Sequence, residues 1–109
     1  MVRFTREHKE QLAPFALIAT GTTGDRVRQA TGLAVERMFS GPYGGDAQIA
    51  ARVAEGLVRA VFFFVDPLYA HPHESDIQGL LRICNVHNVP VATNEATASL
   101  ILAGLQPGQ

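Results

Sequence analysis

At 109 residues, with 47% hydrophobic and 17% charged positions, the chain has the length of one domain spanning residues 1–109 and is too apolar for disorder. Nine Lys and Arg scattered among ten Asp and Glu leave a net charge of -1, which argues against a nucleic-acid-binding face. Apolar runs at 60–65 and 100–105 fall far short of the roughly 18 residues of a membrane span; Met1-Val2-Arg3 opens no signal peptide, and a single cysteine, Cys84, excludes an internal disulfide and fits the cytoplasm.

Helical and strand patterns alternate along the chain. Residues 2–12 are expected to be helical, with Phe4, His8 and Leu12 on one face, ended by Pro14, which disfavours helical geometry at Ala13. Phe15-Ala16-Leu17-Ile18-Ala19 is a continuous apolar run, the mark of a strand buried on both faces. Residues 25–31 form a short helix that Gly32 closes in a left-handed cap, and 34–38 form a strand. A helix over 47–57 places Ile49, Val53 and Leu57 on one stripe, and 60–65 is the clearest buried strand, stopped by Asp66-Pro67. Ser75-Asp76-Ile77-Gln78 has the spacing of a capping box and opens a helix through Leu80, Leu81 and Cys84, where the thiol reads as core packing. Val89-Pro90-Val91-Ala92-Thr93 is a last strand, and Asn94 caps the final helix through Leu102. Strands separated by helices require right-handed crossovers, which gives the α/β class: a parallel sheet in three α-β-α layers.

In such sheets ligands bind beyond the carboxyl ends of the strands. The polar clusters at 20–23, 40–46, 66–76 and Thr93-Asn94 all fall there. Thr20-Gly21-Thr22-Thr23-Gly24 lacks the lysine of a P-loop and the glycine spacing of a dinucleotide fingerprint. A plain strand-to-helix turn capped by Thr22 or Thr23 accounts for part of it, but three threonines exceed what capping requires. Such a turn can wrap a phosphate with N–H and O–H donors. Ser40-Gly41-Pro42-Tyr43-Gly44-Gly45-Asp46 ends on one carboxylate ahead of a helix. Taken locally, Asp46 is an N-cap; taken with the threonine turn, it is a base aimed at a C–H bond, with glycines allowing close approach and Ser40 helping to hold an anion. Tyr43 either lines the pocket or packs beside the turn, and it is left out of the candidate site because aromatic residues in turns more often pack than bind. His71-Pro72-His73 is a His-X-His pair, yet no second cluster completes the four ligands zinc takes, so no metal site is expected. A neutral imidazole donating to a carbonyl or enolate oxygen is the better role for one of the two. Asp66 and Asp76 either orient that ring or cap helices.

The segments Ala19-Thr20-Gly21-Thr22-Thr23-Gly24, Ser40-Gly41-Pro42-Tyr43-Gly44-Gly45-Asp46, Phe63-Phe64-Val65-Asp66-Pro67-Leu68 with His71-Pro72-His73, and Pro90-Val91-Ala92-Thr93-Asn94 resemble the methylglyoxal synthase family, in its order and spacing. The resemblance implies a flavodoxin-like parallel sheet and a cofactor-free, metal-free lyase of methylglyoxal biosynthesis, a glycolytic bypass. Asp46 would remove a C3 proton from dihydroxyacetone phosphate, and the enediolate would expel inorganic phosphate. Thr20, Gly21, Thr22, Thr23, Ser40 and Gly41 would hold the phosphoryl group. His73 would hydrogen-bond the substrate oxygen, with Asp66 and Asp76 in support, and the assembly would be a homohexamer. Family members open on a strand ending in His-Asp followed shortly by lysine, a strand expected to be absent from this chain. Its place is between the strand at Phe15 and that at Ala60, so a gap or a rearranged sheet is expected there, with weak stability or aggregation. The alternatives are a non-catalytic module sensing a phosphorylated metabolite, which needs no base at Asp46, and an interaction domain of a larger assembly.

Overall fold

The computed structural model describes residues 1–65, 68 and 74–106, the side chains of 74–76 excepted. Helix α1 (Val2–Glu7) is followed by the short α2 (Lys9–Leu12), so the single helix expected over 2–12 is broken at His8, where φ is -114° and ψ 22°. The break sits where the imidazole turns back on the chain: His8 Nδ1 lies 2.9 Å from Phe4 O, and the ring stacks on Phe4 at 4.3 Å. Strand β1 (Leu17–Ala19) leads into α3 (Gly21–Thr31), and β2 (Val35–Arg37) into a 3-10 turn at Gly41–Tyr43. Then come α4 (Gly45–Ala54), β3 (Val61–Phe62), α5 (Glu74–Val86), β4 (Val91–Ala92) and α6 (Glu95–Gly104).

Helix α3 begins earlier than the expected residue 25, because the threonine turn is itself helical. Thr20, extended at φ -66° and ψ 157°, is the N-cap, and its carbonyl accepts the Gly24 N–H at 2.7 Å. Its far end is as expected: Gly32 takes φ 74°, left-handed geometry that glycine adopts without strain, and donates to Arg28 O. Helix α5 starts at Glu74, which places Ser75 inside the first turn and removes it from the expected capping position. Asn94 caps α6 as expected, its Oδ1 accepting the Thr97 N–H at 2.9 Å.

The strands form two parallel pairs. β1 lies against β2 with Leu17 opposite Val35 and Ala19 opposite Arg37, and β3 lies against β4 with Val61 opposite Val91. Backbone bonds from Phe63 N to Ala92 O (2.8 Å) and from Val65 N to Thr93 O (3.1 Å) prolong the second ladder. Among the described residues no ladder joins β1 to β3, so the gap expected between them is present. With a ladder on one side only, β1 is half-buried along its length, short of the full burial its apolar run suggests.

Alternation along the aromatic strand sets the layers. Val61 and Phe63 face a core of Val53, Leu80 and Cys84 from α4 and α5. Phe62 and Phe64 turn the other way, onto Phe4 of α1 and Ala98 and Leu102 of α6, in a core that also takes Val27 and Val35. Helices therefore cover both faces, the expected α-β-α arrangement. Among the described residues no helix is long and apolar enough to cross a membrane.

Candidate functional site

Because β1 and β2 run parallel with Ala19 opposite Arg37, both chains leave the sheet at the same edge. The two polar turns meet there. Met38 N donates to Ala19 O at 2.7 Å, and Gly21 N donates to Phe39 O at 3.2 Å. In the second turn, Ser40 O accepts both Tyr43 N (2.9 Å) and Gly45 N (3.1 Å), while the Gln48 amide oxygen takes the Phe39 N–H at 2.7 Å. Gly45 is where the turns touch most closely. A Cβ there would stand 1.9 Å from Phe39 O and 3.0 Å from Thr20 Cγ2, so no side chain fits without moving backbone.

This contact assembles a donor-lined corner. Thr20, Thr23, Ser40 and Gly41 are half-buried and Thr22 is exposed. The amides of Thr22 and Thr23 lie in the first turn of α3, where a helix supplies no acceptor and the dipole favours an anion. Gly21 spends its own N–H on Phe39, so it contributes room and not a donor. Asp46 is the second residue of α4 and only 2% exposed. It is not the N-cap, the role its local sequence suggests; that position belongs to Gly44, at φ 101°. Asp46 is buried directly after Gly45, the residue on which the two turns meet.

The family model described as MGS-like domain matches residues 1–93. The chain belongs to the MGS-like domain family. Its relatives in that family include methylglyoxal synthases from a strain of Thermus thermophilus, 59% identical over 108 residues (99% of this chain, 86% of the relative), and from Clostridium beijerinckii, 55% identical over 102 residues (94% and 86%). The crystal structure of methylglyoxal synthase from Elizabethkingia anophelis superposes with a TM-score of 0.88 at 43% identity, covering 94% of this chain and 67% of that one. The MGS-like fold thus carries the corner described above.

Of the site residues expected from sequence, the MGS-like chain brings together Thr20, Gly21, Thr22, Thr23, Ser40, Gly41 and Asp46. Asp66, His71 and His73 lie outside the described residues; Asp76 falls in the first turn of α5, its side chain also outside them. Among the described residues no group of three or more His, Cys, Asp or Glu can hold a metal ion. Cys84 is fully buried, and burial pushes its thiol above the usual range, as a packing residue requires. Tyr43 is 82% exposed and does not pack beside the turn; of its two expected roles it takes the other, bordering an open groove with Arg37, Phe39 and Ser40.

Sequence reasoning passed over Gln48 and Arg37. Gln48 pins the Phe39 amide from one turn into α4, a contact that no local motif encodes. Arg37 closes β2, and a cation at the carboxyl end of a strand was the available signal.

Proposed function

We propose that the chain is a methylglyoxal synthase, a carbon-oxygen lyase converting dihydroxyacetone phosphate to methylglyoxal and phosphate. One observation carries the reading: the buried carboxylate residue Asp46 follows directly on Gly45, the point where the threonine turn and the Ser40 turn pack together. The names of its relatives support it.

The phosphoryl group sits on the α3 amides and the threonine and Ser40 hydroxyls. That places the hydroxyl-bearing C3 before Asp46, which takes its proton. The C3 hydroxyl of the resulting enediolate then gives up its proton to the departing phosphate and becomes the aldehyde carbonyl, the C2=C3 double bond shifts to C1=C2, and the C1–O bond breaks. Phosphate leaves with the electron pair, and the enol tautomerises to methylglyoxal. Helix-terminal donors stabilise the charge that grows on the leaving phosphate. In this reading His73 donates to the enediolate oxygen and Asp66 and Asp76 orient it, with no cofactor or metal. A homohexamer in the cytoplasm belongs to the same proposal, and light scattering on the eluting protein checks its mass.

Incubation with dihydroxyacetone phosphate, with methylglyoxal and free phosphate both measured, tests the reading. Asp46→Asn should lose about 10²-fold or more in kcat while still binding phosphate. Equal turnover by the variant removes Asp46 as base. A folded chain that binds phosphate without turnover favours either the sensor or loss of the family's first strand, and adding that strand back separates the two.

A further inference from the structure

Arg37 stands over the same corner. Its Nη2 and the Ser40 Oγ lie 2.8 and 2.9 Å from the point that a Cβ on Gly21 would occupy, so the missing Gly21 side chain is what admits the guanidinium. The Asp25 carboxylate fixes it from below: Arg37 Nε donates to both Asp25 oxygens at 3.2 Å. Asp25 belongs to α3 and Arg37 to β2, so the clamp ties the cation to the helix whose first turn forms the corner. With Nε engaged, the terminal nitrogens remain as donors, and no protein acceptor for them occurs among the described residues. They border an open groove of about 360 Å³ lined by Arg37, Phe39, Ser40 and Tyr43.

We propose that Arg37, oriented by Asp25, is a phosphoryl-binding residue of this site, supplying the cation that the threonine turn and Ser40 lack. The inference rests on the reading of the site as a phosphoryl pocket. A planar fork held at Nε presents its outer N–H groups to a phosphoryl oxygen in fixed geometry, and charge-assisted bonds of that kind are roughly twice as strong as neutral ones. Bound dianion would then sit between two sources of positive potential, the α3 terminus and Arg37.

The test is titration of inorganic phosphate, and separately of dihydroxyacetone phosphate, into the whole chain and the variants Arg37→Ala, Arg37→Gln and Arg37→Lys. Arg28→Ala, at the far end of α3, controls for net charge. Wild type is expected to bind both, Arg37→Ala and Arg37→Gln about tenfold or more weakly, Arg37→Lys between them, and Arg28→Ala like wild type. In turnover the Arg37→Gln loss should fall first on KM, unlike that of Asp46→Asn. Phosphate affinity unchanged in both Arg37→Ala and Arg37→Gln overturns the role of Arg37 and leaves the lyase reading intact. A wild-type chain that binds neither probe overturns both. Equal weakening by Arg28→Ala assigns the effect to net charge and also overturns it.

Discussion

A methyl group at Gly45 would meet the Phe39 carbonyl at 1.9 Å, and that contact shows how much of the site depends on single atoms. Phe39 O already accepts the Gly21 N–H, and Ala19 O accepts the Met38 N–H, so the turns cannot part without breaking backbone hydrogen bonds between them. Gly45→Ala should therefore cost about 1–3 kcal/mol by urea denaturation and weaken phosphate binding with it. An unchanged urea midpoint would mean the turns move independently. Cys84 poses the opposite case: with no exposure and a raised thiol pKa, it should resist an aromatic disulfide reagent until the chain unfolds, and fast native labelling would contradict its burial. That the threonine turn and the glycine turn before Asp46 meet was legible in the sequence, because both follow strands of one parallel sheet at their carboxyl ends. That Asp46 is not a cap was not, since its local sequence suggests one. The exclusion of Gly21 as a donor was not, since the carbonyl that claims its N–H comes from another turn.

Elements were legible in order and type, less so at their ends. The apolar run at 60–65 yields a β3 of only Val61–Phe62, although its hydrogen bonds continue to Val65, because regular strand geometry needs a partner as regular as itself. Helix α3 starts at Gly21, which a propensity argument disfavours and tertiary context overrides. Caps were mixed signals: Ser75 and Asp46 lie inside their helices, whereas Gly32 and Asn94 hold the expected cap positions. Gly32 and Asn94 act on backbone groups within a few residues of themselves, and both do what their types dictate. Asn94→Ala should cost about 1 kcal/mol through the lost Thr97 contact, measured by chemical denaturation, whereas Asn94→Asp should keep most of it. If alanine is neutral, α6 is held by its packing alone.

Across the whole molecule, α1 is the element that gathers distant parts. Arg3 pairs with Glu95 at the start of α6, and this hydrogen bond holds the Glu95 carboxyl below the usual carboxylate range. A folded-state pKa that is depressed gives stability present above the unfolded carboxylate pKa and lost as pH falls through the folded one. Glu95→Gln should thus lower Tm slightly at neutral pH, with the difference closing in acid and in high salt, where an exposed pair is screened. Phe4 is the stronger link. Fully buried, it makes edge contacts with Phe62 and Phe64 at 5.6 and 5.3 Å and shares a core with Val27, Val35 and Leu102. Since no ladder joins the two strand pairs among the described residues, side-chain packing of this kind is what couples them. Phe4→Ala should remove about 3–5 kcal/mol, a large part of the ~5–15 kcal/mol typical of a domain. The loss should also be uneven. The core of Val53, Val61, Leu80 and Cys84 does not include Phe4, so hydrogen exchange in the variant should spare the Val89 amide, bonded to Cys84 O, more than the Met38 amide of the first pair. Equal acceleration at both would mean that the two pairs open as one unit, coupled by more than Phe4.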